Sequence, residues 1–259
     1  MLLAIDIGNS EITLGLFSAD RAVTQWRMTT VTLRTPDEWM STLTAYLVQA
    51  GRSPNEVRAV ICGSVAPAVT QALMEGVEKA VGIAPVLVGP ESELPIELDV
   101  EEPMTVGADR VVNTLAASQL YHRDTIVVDF GTATTFDCIT ADGRFIGGVI
   151  APGIQTAADD LVRKTAKLPA TELTPPPRVI GRRTEDCVRA GVLFGGADAT
   201  DGLVRRIKAE WPNESVPLVV ATGGLASRMA ELSEEIDEIE PALTLIGLRI
   251  AAGYLGLKW

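Results

Sequence analysis

The segment AIDIGNSEI, residues 4–12, returns near the middle of the chain as VVDFGTATT, residues 127–135. In both copies an apolar run ends in Asp-x-Gly, a small polar turn follows, and a second apolar run begins. The alignment sets Asp6 over Asp129 and Gly8 over Gly131, close to half of the 259-residue chain apart. A repeat at half length predicts two similarly built domains facing each other. The expected division is residues 1–118, holding the first turn and the segment Gly107 to Arg110, and residues 119–259, holding the second turn.

Periodicity fills in the rest. Leu3, Ile5 and Ile7 alternate before the first turn and Ile12, Leu14 and Leu16 after it, so the turn joins two strands. Thr35-Pro36-Asp37-Glu38 is a helix start: Thr35 as N-cap, proline at the first helical position, Glu38 closing a capping box. Trp39, Leu43, Tyr46, Leu47 and Ala50 follow at helical spacing, with Gly51 as the stop. Val57 to Val65 reads as a buried strand, Pro67 to Gly82 as a helix, Pro85 to Val88 as a short strand, and residues 89–105 as a loop. Arg110 to Tyr121 is expected to be helical. In the second half a helix runs through Leu161 and Thr165, and a further one starts at Thr184, capped like the first. A strand over residues 216–221 ends at Thr222-Gly223-Gly224, and a last helix follows Pro241. Strands alternate with helices throughout, so the fold class is α/β.

Thirty-four acids against 22 bases give a net charge of −12, which disfavours nucleic acid and anionic membranes as partners, since both require a basic footprint. Hydrophobic residues make up 47%, enough for a substantial core. The longest uncharged stretch, Ala59 to Met74, contains Pro67 and is too short to span a bilayer. The start MLLAIDIGNS has no basic leader, and Cys62, Cys138 and Cys187 are scattered without a CxxC pair, so the expected location is the reducing cytoplasm. His122 is the only histidine and stands among charges in Tyr-His-Arg-Asp, which argues against triad chemistry and against a His-rich zinc site. The acidic run Glu231 to Glu240 reads as a solvated connection.

The two turns carry the chemistry. A carboxylate at a strand end can hold Mg²⁺ through water, and an adjacent glycine lets the backbone approach a phosphate. Ser10, Thr13, Thr132 and Thr134 add hydroxyl donors. Either turn alone is no more than a polar hairpin turn. Two in register, with a third glycine turn at Thr222-Gly223-Gly224, suit a nucleotide: two loops for phosphates and one for adenosine. No GxxxxGK[ST] and no strand-linked GxGxxG is present, so neither a P-loop nor a dinucleotide fold is indicated. In PMTVGADRVVN, residues 103–113, Asp109 can accept a proton from a substrate hydroxyl and Arg110 can bind a carboxylate or phosphate. Spacing alone slightly favours the plainer reading, a capping aspartate at a helix start with a surface arginine beside it.

DIGNSEITLGLF, GADRVVN, VVDFGTATTFD, GGVIAPGI, TEDCVRAGVLFG and VATGGLA occur in the order and spacing of type III pantothenate kinases, and nearly the whole chain resembles that family. The resemblance implies two ribonuclease-H-like domains with a nucleotide-binding cleft between them, as in the acetate-kinase, actin and heat-shock-chaperone superfamily. It implies ATP-dependent phosphorylation of pantothenate, the first committed step towards coenzyme A. It assigns Asp6, Ile7, Gly8, Asn9, Ser10, Glu11, Ile12 and Thr13 to the first ATP-phosphate loop, with Asp6 near Mg²⁺, and Thr132 to an ATP contact. Asp109 becomes the general base, within a pantothenate site of Gly107, Ala108, Asp109 and Arg110. Asp129 is assigned a monovalent cation, K⁺ or NH₄⁺. Thr184 is assigned to pantothenate from the partner subunit of a homodimer, with the substrate site near the interface. Where the family often carries Tyr and Asn ahead of the GADR segment, this chain has Val100 and Glu102. That change puts one wall of the substrate pocket in question and leaves the phosphoryl chemistry untouched. The residues alone leave open another hydroxylated metabolite as acceptor, or a nucleotide-binding regulator without turnover.

Overall fold

A computed structural model describes residues 1–19, 21–30 and 33–259. Contacts divide the chain into two units, Met1–Leu120 with Leu243–Trp259, and Tyr121–Ala242.

The first unit opens with β1 (Leu2–Ile7), β2 (Glu11–Ser18) and β3 (Arg21–Thr29), then α1 (Pro36–Gln49), β4 (Ala59–Ser64), α2 (Pro67–Val81), β5 (Val86–Val88), the two-residue β6 (Glu97–Leu98) and α3 (Ala108–Tyr121). Strands lie in the order β3-β2-β1-β4-β5. β1 is antiparallel to β2 and parallel to β4, and every residue of it except Asp6 is buried, as a central strand requires. α1 starts with the expected capping box: Thr35 Oγ1 accepts from the Glu38 N–H, and the Glu38 carboxylate accepts from the Thr35 N–H at 2.7 Å. α2 stops at Gly82, whose left-handed φ of 72° a side chain would resist. Trp39, Leu43 and Leu47 of α1 and Leu73 and Val77 of α2 close over Leu3, Ile5, Ile12 and Leu14 of the sheet.

The second unit repeats the plan with β7 (Thr125–Phe130), β8 (Ala133–Ile139), β9 (Arg144–Pro152), α4 (Ile154–Lys164), α5 (Thr184–Ala209), β10 (Leu218–Thr222), α6 (Ala226–Ala230) and β11 (Glu238–Ile239). Its strands run β11-β10-β7-β8-β9, the first unit's order with each strand replaced by its counterpart. Each unit is thus a three-stranded meander whose first strand also pairs in parallel with a later one. This is the ribonuclease-H-like α/β plan that the family resemblance implies.

Two sequence expectations change. Residues 119–259 were to form the second domain, but the last helix, α7 (Leu243–Tyr254), packs on the first unit. Leu245 sits against Gly15, Leu248 against Gly63, and Gly247 lies so close to Val112 that an added Cβ would stand 2.2 Å from its carbonyl oxygen. Thr184 is also not a cap. It is the first residue of α5, and Arg183 occupies the N-cap position without a side-chain hydrogen bond. Of the cysteines, Cys62 and Cys138 are buried and Cys187 is exposed. His122 is exposed and takes a φ of 50°, turning the chain out of α3. Among the described residues no helix is long and apolar enough to cross a membrane.

A buried carboxylate fixes the start of the second sheet. Asp124 accepts hydrogen bonds from the Ala141 N–H at 2.7 Å, Trp211 Nε1 at 2.9 Å, Asn213 Nδ2 at 3.0 Å and the Ser215 hydroxyl. Burial alone raises its pKa, but the four donors outweigh that and hold the carboxyl at about 2.

Candidate active site

In the first unit the site residues gather at the carboxyl ends of β1 and β4. Asp6 is the penultimate residue of β1, half-buried, opposite Thr13 of β2 and Gly63 of β4. The turn after it closes through the Gly8 N–H, which donates to the Glu11 carbonyl at 3.0 Å. Thr30, the residue after β3, braces the turn twice: its hydroxyl donates to the Gly8 carbonyl at 2.8 Å and its N–H to the Ser10 carbonyl at 3.0 Å. Asn9 and Ser10 are exposed at the tip. The side chains of Ile7 and Ile12 are buried in the core, so only their backbone can face a ligand. Glu11 lies 3.7 Å from Arg27 on β3.

The GADR segment comes to the same sheet end. Val65, which follows β4, donates its N–H to the Ile7 carbonyl at 3.0 Å. A Cβ on Gly107 would stand 3.2 Å from Val65 Cγ1 and 2.4 Å from Asp109 Oδ1, and Ala108 packs beside Gly63. Asp109 therefore lies in the first turn of α3, where its Oδ1 accepts from the Arg110 N–H at 2.8 Å. The capping and site readings thus describe one arrangement: the carboxylate is pinned by a helix N–H and still half-buried at the sheet end. Burial pushes its carboxyl above the ordinary range, while that N–H and the Arg110 guanidinium pull the other way. Behind Asp6, burial and then the Asp6 charge push the Cys62 thiol up, so it stays protonated and inert. A mostly apolar cavity of about 730 Å³ opens beside Gly107 and Ala108, between Thr70 and Met74 of α2 and Leu87 of β5. Val100 is half-buried in the segment after β6.

The second unit builds its own cluster. Asp129 pairs with Thr135 of β8 and Thr222 of β10. Its turn closes through the Gly131 N–H, which donates to the Ala133 carbonyl at 3.0 Å. Gly153, ahead of α4, donates its N–H to the Thr132 carbonyl at 3.2 Å, and the Thr156 hydroxyl reaches the same oxygen at 2.7 Å. Gly223, at a φ of 90°, lies over the carboxylate: a Cβ there would stand 2.4 Å from Asp129 Oδ1. The third glycine turn therefore meets the second aspartate. Thr184 is exposed and lines an apolar groove of about 880 Å³ between α4 and α5, with Ile154, Leu161, Leu168, Val188 and Val192. Thr30, Gly153 and Thr156, which brace the turns, had no signal of their own beyond the Pro152-Gly153 turn, because each acts across a distance in sequence.

The type III pantothenate kinase family model matches residues 2–206. A type III pantothenate kinase of Moorella thermoacetica is 43% identical over 250 residues, covering 96% of this chain and 98% of that protein. The chain belongs to the type III pantothenate kinase family. Among solved structures, component A of (R)-2-hydroxyglutaryl-CoA dehydratase from Acidaminococcus fermentans has a TM-score of 0.57 at 13% identity, covering 98% of this chain and 96% of that one. The ROK hexokinase of Thermus thermophilus has a TM-score of 0.51 at 14% identity, covering 99% of each chain. At such identities these two show the shared fold and nothing finer.

Membership makes the chain a kinase that uses ATP with a divalent metal. The half-buried Asp6 carboxylate at the end of β1 would suit such an ion as one ligand. Among the described residues no group of three or more His, Cys, Asp or Glu side chains could hold a metal by themselves. A divalent ion of this kind would be held by one or two carboxylates together with water and substrate phosphates.

Proposed function

We propose that the chain transfers the γ-phosphoryl group of ATP to the hydroxyl of pantothenate, giving 4′-phosphopantothenate and ADP in the first step of coenzyme A biosynthesis. The observation that carries this is the family match over most of the chain, with Asp109 seated at the same sheet end as Asp6. Phosphoryl transfer asks mainly for positioning and charge neutralisation. Asp109 orients the substrate hydroxyl and accepts its proton as the new O–P bond forms and the bond to ADP breaks. Its raised carboxyl range makes the ionised form a better base for that late proton. Gly107, Ala108, Arg110 and Val100 line the pantothenate site, with Arg110 supplying positive charge.

The backbone from Asp6 to Thr13 holds the ATP phosphates, and Thr132 contacts ATP from the second turn. Asp6 holds Mg²⁺ through water, and the ion neutralises phosphate charge when bound. Asp129 holds a monovalent cation, K⁺ or NH₄⁺. One carboxylate under the bare backbone of Gly223 suits a weakly charged ion better than a close-ligated divalent one. Thr184 serves the pantothenate site of a second copy in a homodimer, a role its exposure at the start of α5 supports.

The test is a coupled assay with ATP, Mg²⁺, K⁺ and pantothenate. ADP release matched by a phosphorylated product is expected, and no turnover with either K⁺ or NH₄⁺ present sinks the proposal. A panel of sugars and other hydroxylated metabolites should give no comparable rate.

A further inference from the structure

Asn113 stands one helical turn after Asp109 on α3, only 1% exposed, and nothing in the phosphoryl chemistry so far uses it. Residues four apart share a helix face, and a helical side chain leans back over the preceding turn, here the turn carrying Asp109 and Arg110. Its Oδ1 accepts from the Thr244 hydroxyl of α7 at 3.0 Å, while its Nδ2 is buried without a protein acceptor among the described residues. A buried amide with half its capacity unmet is costly, so it calls for an explanation. One residue away the same two helices touch backbone to backbone, at Gly247 and Val112. Thr244 and Gly247 are themselves one turn apart on α7, so α3 meets α7 at two adjacent points one helical turn after Asp109.

We propose that Asn113, anchored by Thr244, is a positioning residue for the reaction, whose side-chain N–H holds the Asp109 carboxylate in its working orientation through one buried water. The water accepts from Nδ2 and donates to the carboxylate, which satisfies the stranded amide and fixes the rotamer of the base. The inference rests on the reading of Asp109 as the base.

The test is steady-state kinetics on the full-length enzyme at 25 °C, with rates normalised to the folded fraction from thermal melts. Asn113→Leu, which keeps the branched shape and removes the polar atoms, should lower kcat about 10- to 100-fold with both KM values within about twofold, the size of effect expected from a misplaced reacting group. Thr244→Val should lower kcat by about three- to tenfold, and Thr244→Ser, which keeps the hydroxyl, should restore it. Because Thr244→Val removes a single hydroxyl from a half-buried site, it remains informative if Asn113→Leu does not fold. In an Asp109→Asn background, Asn113→Leu should cost nothing further, since its effect passes through the missing carboxylate. A slow Asp109→Asn enzyme combined with Thr244→Val at the wild-type rate per folded molecule overturns the proposal and leaves the base in place. Equal losses from Asn113→Leu with and without the Asp109 carboxylate also overturn it. Asp109→Asn at the wild-type rate removes the base assignment itself, and the proposal with it.

Discussion

The two Asp-x-Gly hairpins start from the same strand pairing and part at the turn. In the first, Ile7 pairs with Ile12, and the loop closes from Gly8 to Glu11; in the second, Phe130 pairs with Thr134, and the loop closes one residue sooner, from Gly131 to Ala133. The bracing differs as well. Thr30, just after a strand, holds the first turn, whereas Gly153 and Thr156, at the start of a helix, hold the second. Gly223 lies against Asp129, while Asn9 and Ser10 leave the first tip open. A duplicated scaffold keeps its sheet order because the core demands it. Its turns diverge because their contacts come from segments outside the repeat.

A substitution at Gly153 separates the two turns most strongly. Gly153→Ala would set a Cβ 2.3 Å from the Thr132 oxygen and 2.4 Å from the Gly131 oxygen, both backbone atoms with little room to move. We expect a loss of about 3 kcal/mol in urea unfolding and a fall in kcat of roughly 10². A variant of wild-type stability would mean that the second turn tolerates a shift the comparison denies it.

The starts of the two sheets give the next largest effect. β1 begins with the amino terminus donating to the Glu56 carbonyl at 2.8 Å, whereas β7 begins beside the Asp124 carboxylate. Held at about 2 when folded, against an ordinary value of 3.8, Asp124 stabilises the fold above its unfolded pKa. That contribution is lost as pH falls from about 4 towards about 2, and amounts to roughly 2 kcal/mol. Urea midpoints measured from pH 7 down to pH 3 should fall in wild type, and Asp124→Asn should flatten the part of that fall due to this group.

Gly8→Ala should be milder than its counterpart, because its Cβ would stand 2.8 Å from the Glu11 oxygen at an exposed tip. A cost of about 1 kcal/mol is expected, and a penalty matching that of Gly153→Ala would erase the difference between the turns. Smallest are the hydroxyl deletions Thr30→Val and Thr156→Val, each about 0.5 kcal/mol. Their kinetic signature matters more: both should raise the KM for ATP without changing that for pantothenate.

The repeat made most of the fold legible, since one motif in two places implies two sheets. α1 and α2 were equally plain, because their signals, the capping box at Thr35 and the glycine stop at Gly82, are local. β3 gave no clear signal: it is an edge strand whose residues alternate between exposed and half-buried, so no apolar run marks it. The allegiance of α7 was hidden for another reason. It is set by Gly247 meeting Val112, a contact between segments on either side of the whole second unit. In the site, the carboxylates and their glycines could be named from sequence. Asn113 could not be told from any other helical residue until its burial and its bond to Thr244 were known.

The central claim is that two aspartates in equivalent hairpins serve different cations. The direct measurement is the rate of labelled phosphate transfer from ATP to pantothenate during separate K⁺ and Mg²⁺ titrations of Asp6→Asn and Asp129→Asn. The account predicts that Asp129→Asn loses its response to K⁺ while its residual rate still rises with Mg²⁺ at the wild-type midpoint. Asp6→Asn should show the reverse, a shifted Mg²⁺ midpoint with the K⁺ response kept. If both variants shift the same ion's curve and leave the other alone, the two carboxylates share one job and the claim is contradicted.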